Sequence, residues 1–272
     1  LNLTYYVNNT GSDSNDGLTP QTPFLTIQQA ISMTQLFDPN GFTVTINVAD
    51  GTYAGFTAGT GALKGWGIIN IIGNIATPAS CLISTVTNGV QFLGASRIYH
   101  MAGFKIVNTG PLPYYGWGII AASQATVTVA NIEFGACTMY HLWTSNSTLT
   151  LQGQLDNVPN ISYPFIKVSG NAGYAHMRSS EGGAMGSHCP DLVITQAITV
   201  GDWCEADFLS HQIYVGKPDG SQPNFYNSIT GKANVTGRKY NATGNSIIAG
   251  SGDINYFPGT TAGITNSGGQ YL

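Results

Sequence analysis

Apolar residues in this chain fall in short runs whose period changes near the N-terminus. Tyr5-Tyr6-Val7 is an extended lead-in, followed by the polar stretch Asn8–Gly17, where small polar residues and glycine favour turns. Pro20 and Pro23 keep the next segment extended up to Phe24. Ile27, Ala30, Ile31 and Thr34 then fall at i, i+3, i+4 and i+7, which predicts a short amphipathic helix. Thr26 and Gln29 have capping-box spacing at its start. After Asp38-Pro39-Asn40-Gly41 the period becomes two. Val44, Ile46 and Val48 alternate with Thr43, Thr45 and Asn47, predicting a strand with one buried face that runs on to Asp50-Gly51-Thr52-Tyr53.

Beyond Tyr53 the chain is a succession of β segments, most of three to five residues, punctuated by glycine. They include Ile68–Ile72, Cys81–Ile83, Val90–Leu93, Arg97–His100, Phe104–Val107, Gly118–Ala122, Thr126–Val129, Ile132–Phe134 and Thr148–Leu151. Phe165–Val168, Leu192–Ile194, Ile198–Val200 and Gln212–Val215 continue the series, with no amphipathic helix longer than about two turns. Phe104-Lys105-Ile106 and Ile132-Glu133-Phe134 share an apolar-charged-apolar core and lie 28 residues apart. A repeat of that length fits one coil of a solenoid, and coils of about 25 residues from Val44 to Val215 give about six or seven turns. A β-sandwich is the structural alternative. Lys217-Pro218-Asp219-Gly220 is a turn-rich break. It divides the chain into an N-terminal cap (1–42), a coiled body (43–216) and a small β-rich C-terminal segment (217–272).

Composition narrows the use. Only 8% of residues are charged, the formal charge is -4, and there are 35 glycines. That excludes a generally basic nucleic-acid binder, and no run reaches the roughly eighteen apolar residues of a membrane span. A surface of hydroxyls and amides suits sugars. Cys81, Cys137, Cys189 and Cys204 form no Cys-x-x-Cys pair and read as buried free thiols.

Two stretches resemble known families. Gly11–Gly17, Thr26-Ile27-Gln28-Gln29-Ala30 and Asp50-Gly51-Thr52-Tyr53 resemble the N-terminal cap of pectin-lyase-like proteins. That resemblance implies an all-β fold, a right-handed parallel β-helix with an N-terminal capping helix. Thr236-Gly237-Arg238-Lys239-Tyr240, Asn245-Ser246-Ile247-Ile248, Pro258-Gly259 and the closing Gly268-Gly269-Gln270-Tyr271 resemble the C-terminal ends of phage and prophage tail-spike or tail-fibre proteins. The family pattern often has Arg-Arg where this chain has Arg238-Lys239. This second resemblance implies a homotrimeric virion component of the tail that joins other tail proteins and attaches to a host cell-surface polysaccharide.

Several constellations could carry chemistry. Asp202, Glu205 and Asp207 with His211 are the densest acidic group, and a glycosidase needs two carboxyls flanking its bond. The bland alternative is a solvated loop. A polysaccharide lyase needs a base and a cation, and His176 and Arg178, two apart on a strand, would share one face. Glycan binding without cleavage points to aromatic faces: Tyr114, Tyr115 and Trp117, then Tyr140, His141 and Trp143 one coil later. The competing role for these rings is packing. His188, Cys189, Cys204 and His211 have zinc-ligand chemistry but no recognised spacing, and Asp13, Asn15 and Gly17 lack the acidic residue that closes a calcium loop. Neither a metal nor a cofactor is expected. Non-catalytic receptor binding is the favoured use, with a glycan-cleaving depolymerase as the alternative.

Overall fold

The computed structural model describes residues 2–60, 65–95, 97–113, 115–152, 165–188, 190–214, 225–250 and 252–272. The helix forms where its apolar stripe places it, over Ile27–Thr34, with Ile27, Ala30, Ile31 and Thr34 buried. Thr26 caps it, its hydroxyl accepting from the Gln29 N–H. Asp13 holds Thr26 in turn, accepting from its N–H and hydroxyl and from the Leu25 N–H. At the other end the buried Arg97 donates to the carbonyls of Thr34 and Phe37, supplying partners that a helix C-terminus lacks.

From there the chain winds into a right-handed parallel β-helix with three faces. Every strand pairing given for the described residues is parallel. The first face stacks Leu3–Val7, Thr43–Val48, Ile68–Ile72, the opening halves of Ile98–Asn108 and Thr126–Cys137, Thr148–Gln152, Ala184–His188 and His211–Tyr214. The second carries Gly51–Tyr53, Cys81–Thr85, the closing halves of the two long strands, Phe165–Val168 and Asp191–Ile194. The third carries Thr57–Ala58, Val90–Leu93, Ile119–Ala122, Tyr140–Ser145, Ala172–Ser180, Ile198–Ala206 and Val235–Ala242. Register places like on like inside the shaft: Val44, Ile69, Tyr99, Val127, Leu149 and Met185 form one continuous buried column.

The matched segments 28 residues apart do lie one coil apart, with Phe104 on Ile132, Lys105 on Glu133 and Ile106 on Phe134. Two expectations are corrected. Gly51-Thr52-Tyr53 does not end the strand that starts at Thr43; the chain turns at Ala49-Asp50, and these residues open the second face. Arg97–His100 and Phe104–Val107 are not separate strands; from Ile98 they run as one bent strand, Ile98–Asn108, with Gly103 at the bend at φ 79°. The next coil bends at the equivalent Asn131, φ 47°, a conformation asparagine tolerates better than most residues. Behind the break expected at 217, the ladders continue. Val235–Ala242 pairs in parallel with Ile198–Ala206, and Ile247–Ile248 with His211–Gln212.

On the second face Glu133, its side chain only 4% exposed, lies between Lys105 of the coil before and Lys167 of the coil after, at 2.8 and 2.7 Å. Burial alone would raise its pKa, but hydrogen bonds from Lys105, Lys167 and Ser169 outweigh that and bring it to about 2. A carboxyl held below its unfolded value of 4.5 stabilises the fold above that pH, and the contribution fades as pH falls from there towards 2. Glu133→Gln should therefore cost about 1–3 kcal/mol at pH 7 by urea unfolding. The gap to the wild type should close in acid; a gap that is constant from pH 7 to pH 3 would refute this account.

Candidate functional site on the third face

Outward positions of the third face form columns because the register repeats from coil to coil. One column runs Tyr140, Ala175, Asp202, Arg238; the next runs Ile120, Trp143, Arg178, Glu205, Asn241. Adjacent strands lie about 4.8 Å apart, so a long side chain reaches one coil in either direction. Arg178 does both. Its Nη1 donates to Tyr140 Oη at 2.8 Å and to Glu205 Oε1 at 3.0 Å, and its Nη2 donates to Asp207 Oδ2 at 2.9 Å. The guanidinium carbon also lies 5.2 Å from the Tyr140 ring centroid and 5.9 Å from that of Trp143, within cation–π range.

Aromatic residues border this cation on its own coil and on the coils before it. Trp143 packs against Trp117 at 6.0 Å and Tyr140 at 5.7 Å, and Tyr140 against Tyr174 at 5.8 Å. Trp143 Nε1 donates to Ser180 Oγ at 2.8 Å, which fixes its ring plane. Trp117 is 9% exposed and Tyr174 47%, so the wall is buried at one end and open at the other. On the later coils, Arg238 pairs with Asp202, which also accepts from Asn241 Nδ2 at 3.3 Å. Ser145 donates to Glu181 at the corner.

Burial raises the pKa of Glu205 and of Asp207, with Arg178 opposing it in both. Burial would lower that of Arg178 itself, but Glu205, Tyr140 and Asp207 outweigh it and hold it raised. The site is thus a guanidinium clamped between two carboxylates of reduced acidity, with a hydroxyl and two ring faces on its other side.

The structure brings Arg178, Glu205, Asp207 and Trp143 together, with Asp202 in the neighbouring column. Tyr114 lies outside the described residues, and Tyr115 is half-buried in the loop before Trp117. His211 opens a first-face strand and takes no part in the Arg178 cluster. Two expectations are corrected. His176 does not share a face with Arg178, and His141 presents no ring to a ligand; both are fully buried inside the shaft. His141 Nδ1 and His176 Nδ1 are 2.9 Å apart, and His176 lies 4.3 Å from Trp203 ring to ring. The reason is a corner in each coil, where two successive residues both point inward: His141-Leu142, His176-Met177 and Trp203-Cys204 are all buried. Simple alternation fails there. Tyr174, Arg238 and Asn241 are the site residues that sequence reasoning did not single out; only the register relates them to Arg178.

Of the residues weighed as zinc ligands, Cys189 and the side chain of His188 lie outside the described residues, and Cys204 is an interior thiol. Cys81 and Cys137 are also buried and free.

No protein-family model matches the chain, and no curated protein does. Among solved structures it is similar to the pectin methylesterase from Aspergillus niger in penultimately deglycosylated form. The identity is 13%, the match covers 98% of this chain and 84% of that one, and the TM-score is 0.47.

The buried histidines make a testable signature. Burial depresses the pKa of His141 from 6.5 to about 4, and that of His176 well below its ordinary value. The unfolded chain takes up these protons below pH 6.5 while the folded chain refuses them, so stability falls as pH drops from 6.5 towards 4. His141 alone accounts for about 2 kcal/mol at pH 5. In a His141→Leu/His176→Leu variant, urea unfolding should lose this slope between pH 7 and pH 5. An unchanged slope would show that other groups set it.

Proposed function

We propose that the third face recognises a polysaccharide. The observation that carries this is the juxtaposition, on an unbroken parallel sheet, of the Trp143–Tyr140–Tyr174 ring surfaces with the Arg178–Glu205–Asp207 cluster. Sugar rings offer an apolar face to an aromatic side chain and hydroxyls to carboxylates and guanidinium, and this face supplies both. The half-buried Trp143 and the exposed Tyr174 lie on successive coils, an arrangement that suits an elongated ligand better than a single small molecule.

The biological setting we propose is a phage or prophage tail spike or tail fibre that attaches the virion to a host cell-surface polysaccharide. It would act as a homotrimer joined to other tail proteins. This rests on the resemblance of Val235–Leu272 to the ends of such proteins. A second reading, a glycan-cleaving depolymerase, is favoured by one feature. Glu205 and Asp207 lie two apart, converge on one guanidinium, and both have carboxyl pKa values raised by burial, as general acid chemistry requires.

Trp143→Ala and Arg178→Met should each weaken binding to host-surface polysaccharide by at least about tenfold in titration calorimetry, with far-ultraviolet circular dichroism unchanged. Undiminished binding in both would remove the third face from consideration. Incubation of the wild type with the same glycan separates the two readings: shortened chains by size-exclusion chromatography would establish cleavage, and Glu205→Gln should abolish it.

A further inference from the structure

The charge pattern of the shaft says what kind of glycan the third face can take. The sequence has nine lysines and arginines, of which Lys64 and Lys217 lie outside the described residues. Arg97 is buried beneath the capping helix, where it donates to backbone carbonyls. Lys105 and Lys167 share Glu133 on the second face. Lys232 and Lys239 both donate to Asn255 near the C-terminal end.

Among the described residues, the outward columns of the third face are left with two cations, and both are engaged. Arg178 is held by two carboxylates, Glu205 and Asp207, and Arg238 by Asp202. Glu181 adds a further carboxyl at the edge, bonded to Ser145. With all four acids ionised, this surface carries two more negative than positive charges. An acidic polysaccharide would have to displace a bidentate protein carboxylate pair from Arg178, and its own carboxylates would meet four others. A neutral sugar chain meets no such opposition: its hydroxyls donate to Glu205 and Asp207, and its ring faces lie on Trp143 and Tyr174.

From this balance we infer that the ligand of the third face is a neutral polysaccharide, a chain of hexoses without uronate, sulfate or phosphate groups. The inference rests on the proposed glycan-binding role of this face and names its ligand class. It also predicts salt-insensitive binding, because no ion pair forms between protein and ligand.

The test is affinity electrophoresis and titration calorimetry of the full chain against two sets of polysaccharides. Neutral glucans, galactans and mannans form one set; polygalacturonate and alginate form the other. The expected result is binding within the neutral set that changes less than about twofold between 50 and 500 mM NaCl and is lost in Trp143→Ala. Polyuronates should bind at least about tenfold more weakly. A Glu205→Gln/Asp207→Asn variant, which releases Arg178, should gain polyuronate retention at low salt. Trp143-dependent binding of a polyuronate by the wild type would overturn the neutral-ligand inference while leaving the glycan-binding role intact. Binding to neither set would overturn both. The wild-type comparison decides the matter even where the double variant does not fold.

Discussion

The structure depends on one constraint, the parallel register that sets each coil directly on the one before. Parallel ladders satisfy backbone donors and acceptors between coils, so a coil cannot slip by one residue without turning its buried side chains outward. The consequence is columnar. Val44, Ile69, Tyr99, Val127, Leu149 and Met185 share one line inside the shaft, and Trp143, Arg178, Glu205 and Asn241 share one line outside it. Core and candidate site follow from the same stacking.

Charge is distributed by the same rule. In an untwisted parallel stack, like charges one coil apart would repel at about 5 Å, whereas opposite charges one coil apart attract. The few ionic residues alternate in sign along their columns. Glu133 has Lys105 on one side and Lys167 on the other, Arg178 precedes Glu205, and Asp202 precedes Arg238. These pairs join coils that are otherwise held by backbone bonds and apolar contact. Among the described residues, Lys105, Lys167, Arg178 and Arg238 are each engaged by a carboxylate of a neighbouring coil.

The sequence discloses local features well and columnar ones poorly. The capping helix was legible because its stripe, its Thr26 cap and its flanking turns lie within about ten residues of each other. The coil repeat was legible at one place, where Phe104-Lys105-Ile106 and Ile132-Glu133-Phe134 fall on consecutive rungs with no intervening insertion large enough to blur the spacing. The site was not legible as a unit. Tyr140 to Arg178 to Glu205 spans 38 and then 27 residues, so no fixed period relates them. The corners add a second obstacle. Two inward residues in succession shift the alternation by one, which is why His176 and Arg178 share a parity in sequence and not a side of the sheet.

The C-terminal stretch takes on a more specific meaning in this light. Gly237, at φ 132°, passes so close to the preceding coil that a Cβ would sit 2.0 Å from the Val200 carbonyl oxygen, so the position demands glycine. Tyr240 stacks on Tyr271 at 3.9 Å and 13°, and the buried Phe257 packs edge-on against Tyr271. These residues pack the C-terminal coils against one another. Arg238, inside the same motif, does something else: it neutralises Asp202, a carboxylate only 6% exposed on the third face. With the coil in place, losing the Arg238 guanidinium alone would leave that largely buried carboxylate without its cation, at a cost of several kcal/mol. The stretch that carries Arg238 therefore contributes to the electrostatics of the candidate site as well as to the packing of the coils around it.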